Sequence, residues 1–152
     1  MTYTVTRADL PEQHVAVVRG HVAHDGIGAF LGDAFGTVAQ ALAAQGTEPS
    51  GMPFARYRAA DGGWEVVAGF PVDSPIGATG DVVPATLPGG HAARVLHQGP
   101  YDAVAGAYEA AERWVVENGL RPSDAPWECY LDGPEVAEPR TEVFLPCVEA
   151  HR

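Results

Sequence analysis

Pro126-Trp127-Glu128-Cys129-Tyr130-Leu131 is the stretch from which the rest of the chain can be read. Its aromatic and apolar residues suit a strand, and Pro126, with no N–H to give to a ladder, fits at the strand's start. Alternate residues of a strand point to opposite faces, so Trp127, Cys129 and Leu131 share one face and Glu128 and Tyr130 the other. The first face is expected to be core. The second sets a carboxylate beside an aromatic ring, a pairing that suits a cation better than it suits packing. Burying an unpaired carboxylate costs several kcal/mol or raises its pKa. The alternative at this point is a solvated glutamate on the wet face of an antiparallel sheet.

Working outward, Pro53-Phe54-Ala55-Arg56-Tyr57 lies 73 positions before Pro126-Trp127-Glu128-Cys129-Tyr130, and Gly46 precedes Gly119 by the same offset. Further upstream the offset is 77: Leu10-Pro11 before Leu87-Pro88, His14 before His91, Val18 before Val95, and Asp25 before Asp102. In the first half, Tyr3–Thr6 and His14–Arg19 read as strands, and Asp25 stands where a helix N-cap belongs. Ile27, Phe30, Leu31, Ala34, Phe35, Val38 and Leu42 then form a helical stripe that Gly46 ends. Phe54–Arg58 and Trp64–Phe70 follow as a hairpin about Asp61-Gly62-Gly63. In the second half, Val104, Ala107, Tyr108, Ala111, Trp114 and Val115 make the helix stripe. The reading is one α+β domain over residues 1–152, built from two β-β-α-β-β halves, about 2–73 and 79–148. They would be related by a pseudo-two-fold axis, with antiparallel strands, helices on one side and a ligand cleft between the halves.

The composition restricts function. The chain has 152 residues, 46% of them hydrophobic, and carries 20 acidic residues against nine arginines, for a formal charge of −11. Such a charge disfavours nucleic acid and anionic membranes as partners. No apolar run approaches the roughly 20 residues of a membrane span, and no secretory signal is evident, so a cytoplasmic protein is expected. Cys129 and Cys147 lack metal-ligand spacing and are expected as reduced thiols.

The halves differ most where chemistry would sit. Glu128 matches Ala55, while Glu142 and Phe144 match Val67 and Gly69 in position on the last strand; both halves keep a tyrosine, Tyr57 and Tyr130. Aromatics and acids set against small residues leave room for a flat ligand. A ring within about 6 Å of a cation contributes roughly 0.5–2 kcal/mol.

The ordered set Gly51-Met52-Pro53-Phe54-Ala55-Arg56-Tyr57, Gly69-Phe70-Pro71-Val72, Leu87-Pro88-Gly89-Gly90, His97-Gln98-Gly99-Pro100-Tyr101-Asp102, the opening hexapeptide and Thr141-Glu142-Val143-Phe144-Leu145-Pro146 resembles the GyrI-like small-molecule-binding domain. That domain is also the effector domain of multidrug-sensing transcription regulators. The resemblance implies a duplicated fold with a cleft, and makes Glu128 the acid that faces lipophilic, often cationic, aromatic compounds. Many relatives carry an acid where this chain has Val67. With the fold beginning at about residue 2, a stand-alone member is expected.

The expected function is polyspecific binding of hydrophobic, planar cations by Glu128, Tyr130, Tyr57, Tyr101, Phe144 and Glu142, with Ala55, Val67, Gly69 and His97 completing the lining. Tyr101 and His97 bracket a Gly-Pro turn, and Tyr101 is read as closing one end of the site. Two alternatives stand beside it: a hydrolase opening cyclopropane rings with Glu128 and Tyr101 as catalytic groups, and a gyrase-binding module, disfavoured because the acids are scattered. No cofactor and no metal is expected; His21-x-x-His24-Asp25 supplies too few ligands. No phosphate loop or nucleophile elbow is present.

Overall fold

Gln13–Ala23 (β2), the longest strand, is paired along nearly its whole length on one edge and over Gln13–Val17 on the other. Gly63–Val72 (β4) lies on one side and Val83–Leu87 (β5) on the other. Val15, Ala16 and Val17 are buried in succession, which explains why this strand reads as a continuous apolar run. Gly90–Gln98 (β6) is placed in the same way, between Val5–Leu10 (β1) and Arg140–Glu149 (β9), with Ala92, Ala93 and Val95 buried.

The computed structural model describes residues 3–133 and 135–150. The outer limits expected for the domain and its first half, residues 1, 2 and 152, lie outside the described residues. The strands are antiparallel and accompany two α-helices, so the protein is α+β. The chain divides into two compact units, Glu12–Pro88 and Met1–Pro11 with Gly89–Arg152.

In the unit Glu12–Pro88 the strand order is β3-β4-β2-β5, where β3 is Phe54–Ala60. The β3–β4 hairpin closes at Ala60 opposite Gly63, as the Asp-Gly-Gly signal predicts. Helix α1, Ile27–Ala44, buries Ala34, Val38, Ala41 and Leu42, and packs its apolar stripe on Ala16, Val72 and Val82. In the other unit the order is β1-β6-β9-β8, where β8 is Trp127–Tyr130, and the short strand Leu120–Pro122 (β7) pairs with the end of β9. Helix α2, Ala105–Glu117, lays Ala107, Ala111 and Val115 on Ala93, Val95, Val143 and Leu145. Alanines in both stripes bring helix and sheet close together. Gly46 and Gly119 follow the two helices with φ of +73° and +72°, the left-handed conformation that stops a helix.

Several expectations need correction. The sequence halves and the spatial units do not coincide. β1 pairs with β6 and β5 pairs with β2, so the chain changes unit just after each Leu-Pro step, at Pro11 and at Pro88. Proline ends the strand in both places because it has no N–H to continue the ladder. Asp25 is not the N-cap of α1. It lies inside a 3-10 turn, His24–Gly26, and Gly26 takes the cap position with no side-chain bond. Leu131 falls outside β8. The helical segment His24–Ala44 is 21 residues long with a mean hydropathy of 1.3, enough by length and composition for a membrane span, whereas no such run was expected. Val38, Ala41 and Leu42 of this segment pack in the core cluster with Ala16, Val72 and Val82 of the sheet side.

Gly69 is explained by the sheet. A Cβ there would run into the carbonyl oxygen of Ala16 on β2, a backbone contact that cannot give way. Gly69→Ala is therefore expected to lower stability by at least about 2 kcal/mol, read as a fall in the midpoint of urea unfolding. An unchanged midpoint would contradict this account.

Candidate functional site

The register of β8 against β9 decides what surrounds Glu128. Trp127 stands opposite Phe144, Glu128 opposite Val143, Cys129 opposite Glu142 and Tyr130 opposite Thr141. Val143 belongs to the core beneath α2. Paired residues share a face, so Glu128 and Tyr130 point to the helix side. This reverses the expectation that Trp127 and Cys129 mark the core face. Trp127 is buried, but on the other face, stacked on Phe144 with centroids 5.7 Å apart and planes at 24°.

Glu128 is 9% exposed. Two hydroxyls hold its carboxylate: Tyr108 of α2 donates to Oε2 at 2.6 Å, and Tyr130 donates to Oε1 at 2.9 Å. Among the described residues no arginine is paired with it. Burial pushes the Glu128 carboxyl above the ordinary glutamate range, while the two tyrosine bonds and nearby His97 pull it back. The result is a buried acid made ionisable by hydroxyls instead of by a cation. Tyr108 was expected only as part of a packing stripe. The available signal was chemical: a tyrosine on the buried side of a helix needs an acceptor, and the facing strand offers Glu128.

Beyond Tyr130 stands a more exposed ring. The ring of Tyr101, 37% exposed, meets Tyr130 edge-on at 5.9 Å and 87°. Its hydroxyl donates to the backbone carbonyl of Asp132 at 2.9 Å. Asp132 is held by Arg140, whose Nε, Nη2 and backbone N–H donate to its carboxylate at 2.8, 3.2 and 3.0 Å. Those bonds keep the Asp132 carboxyl below its usual range. Tyr101 is thus positioned by its own hydrogen bond.

His97 is buried and fully engaged. Its Nε2 bonds the carbonyl of Pro100 at 2.9 Å, and since a carbonyl only accepts, Nε2 carries the proton. Nδ1 lies 2.9 Å from the Tyr3 hydroxyl. The ring therefore ties β6 to the turn that presents Tyr101. Phe144 and Glu142 lie on the sheet face opposite Glu128. Glu142 is 4.0 Å from Arg94 and flanks Cys129, whose thiol is pushed up to about 11, chiefly by burial. Both cysteines are free. Tyr57, Ala55, Val67 and Gly69 belong to the other unit. There Tyr57 packs edge-on to Trp64 at 6.2 Å, and Ala55 is buried opposite Ala68.

The family model for the GyrI-like small molecule binding domain matches residues 4–148. The chain belongs to the GyrI-like family. No curated protein sequence matches it. Among solved structures, EcmrR in its complex with DNA is 24% identical with a TM-score of 0.83, covering 97% of this chain and 58% of that one. The EcmrR C-terminal domain gives 22% and 0.81 over 99% of this chain and 100% of that one. SAV2435 bound to tetraphenylphosphonium gives 15% and 0.63 over 97% and 94%. A hydrolase from Listeria innocua gives 16% and 0.67 over 95% and 91%. These likenesses concern the fold, and this GyrI-like chain spans just over half of the EcmrR chain.

The tyrosine pair accounts for the tolerance of a carboxylate here. Tyr108→Phe removes the 2.6 Å bond, which favours the ionised form of Glu128. The loss is expected to be about 1–3 kcal/mol at pH 8 and smaller at pH 4, where the acid is protonated more of the time. Urea melts at the two pH values measure the difference; equal losses would contradict the role given to Tyr108.

Proposed function

We propose that this GyrI-like protein binds hydrophobic, planar, cationic aromatic molecules at Glu128, with Tyr108, Tyr130 and Tyr101 as the surrounding rings. The observation that carries the reading is the Glu128 carboxylate, buried among tyrosines and without an arginine partner among the described residues. A cation arriving there gains a counter-charge in a low-dielectric setting and ring faces on which to stack. Stacking is tolerant of shape, which supports polyspecific binding. The formal charge of −11 favours cations and disfavours contact with a phosphate backbone. Two free thiols support a cytoplasmic location. The repeated sequence pattern supports a duplication, since each unit contains a helix and four strands in corresponding order, with the short β7 as an addition in one of them.

Titrations with a planar cationic dye such as ethidium, with tetraphenylphosphonium as a non-planar comparison, followed by tryptophan fluorescence, test the reading. Glu128→Gln is expected to weaken binding roughly tenfold or more, the effect of about 1.4 kcal/mol. Equal affinity for the wild type and the variant, or equal preference for anionic dyes, would overturn it. The folded-state pKa of Glu128 is raised. Its contribution to stability is therefore fully present below the unfolded glutamate pKa of about 4.3 and lost as pH rises through the folded value. Cation affinity runs the other way, rising as the carboxylate ionises. Glu128→Gln should show neither trend.

The raised pKa of Glu128 also favours a second reading, hydrolysis of a strained ring by a water that Glu128 deprotonates. Tyr130 is the hydroxyl closest in role, since that of Tyr101 is bonded to Asp132. Incubation with a cyclopropane-containing alkylating agent and mass spectrometry of the products decides it. Ring-opened product in excess over protein, lost in Glu128→Gln, is the outcome that hydrolysis requires.

A further inference from the structure

Thr141 sits on β9 directly opposite Tyr130 of β8 on one side and His97 of β6 on the other. It is 0% exposed, and its Oγ1 has no hydrogen-bond partner. Neither cross-strand neighbour bonds it. Both ring nitrogens of His97 are taken by Tyr3 and Pro100, and the Tyr130 proton is given to Glu128. Valine has nearly the same shape and would avoid burying a hydroxyl without a partner. Register places the Thr141 side chain on the face of Glu128, as the diagonal neighbour next to Tyr130.

We infer that Thr141 is a specificity-determining subsite, whose hydroxyl hydrogen-bonds a hydroxyl or carbonyl carried by the cationic ligand. This rests on the reading of Glu128 as the cation site. The ligand class it defines is an aromatic cation with a neutral polar group on the order of 5–8 Å from the charge, the spacing of direct and diagonal cross-strand neighbours. Of its two cross-strand neighbours His97 is buried and Tyr130 half-buried, edge-on to exposed Tyr101, so such a group would have to pass the Tyr130 ring to meet Thr141. A fully apolar cation would be held by Glu128 and the rings while leaving the Thr141 hydroxyl unpaired. Discrimination follows because a hydrogen-bonding site rejects ligands that leave its buried polar group without a partner.

The test compares (3-hydroxypropyl)triphenylphosphonium with butyltriphenylphosphonium, which differ by a hydroxyl in place of a terminal methyl, on the full chain and on Thr141→Val and Thr141→Ser. Thr141→Val is expected to weaken the hydroxypropyl compound roughly three- to tenfold, the effect of one neutral hydrogen bond, and to leave the butyl compound within twofold. Thr141→Ser, which keeps the hydroxyl, should retain the wild-type preference. The melting temperature of Thr141→Val should stay level or rise, since no internal bond is lost. Equal weakening of both compounds, no change in either, or a melting temperature lowered by several degrees would overturn the inference. If the wild type binds the butyl compound but these differences are missing, the Thr141 subsite fails and the Glu128 site stands. If it binds neither compound, both are overturned.

Discussion

A carboxylate on the helix side of a sheet has to be accommodated before anything else can pack around it. At Glu128 two hydroxyls from different elements do this, Tyr108 from α2 and Tyr130 from β8 itself. Each bond favours the charged form, and burial opposes it; the balance leaves the acid raised but ionisable. The position of α2 and the pairing of β8 with β9 are both needed to bring the three groups together. An arginine in place of the tyrosines would have neutralised the site permanently. Hydroxyls leave its charge without a counter-ion, which is what the proposed binding of a cation requires.

Close approach of small residues makes that placement possible. Ala107 and Ala111 let α2 lie near Ala93 and Val95, so that the longer Tyr108 side chain reaches the sheet at the level of Glu128. In the unit Glu12–Pro88, Ala55 is buried opposite Ala68, and Gly69 is required by its approach to the Ala16 carbonyl. Residues that look, in sequence, like space left for a ligand can thus be demanded by backbone packing. Their smallness does not by itself define a pocket.

The rim is ordered differently from the buried acid. His97 is a tie, with both nitrogens committed, and through Pro100 it anchors the turn from which Tyr101 projects. Tyr101 is then fixed at its far end by the Asp132 carbonyl, itself steadied by Arg140. An exposed aromatic side chain restrained at both ends loses little rotamer freedom on binding, which favours stacking. This gives the rim rigidity without burying it, and leaves the interior chemistry to Glu128 and its tyrosines.

Much of this was legible along the chain. Helix stripes, terminating glycines, the Asp-Gly-Gly hairpin and the ordered GyrI-like motifs depend on local periodicity, on glycine's freedom at positive φ, or on matched residue strings, and all are properties of sequence. Glu128, Tyr130 and Tyr101 stood out for the same reason. What sequence could not decide was which face of β8 is inside, because Trp127 and Glu128 are both buried and alternation alone fits either choice. Only pairing with Val143, which lies under α2, resolves it. The same long-range register separates Glu142 and Phe144 from Glu128, recruits Tyr108, and leaves Thr141 without a partner. It also sends β1 to β6 and β5 to β2, across the Leu-Pro steps. Strand partners distant in sequence are chosen by the combined burial of whole faces and by the demand that every backbone group be paired, and that is a tertiary property.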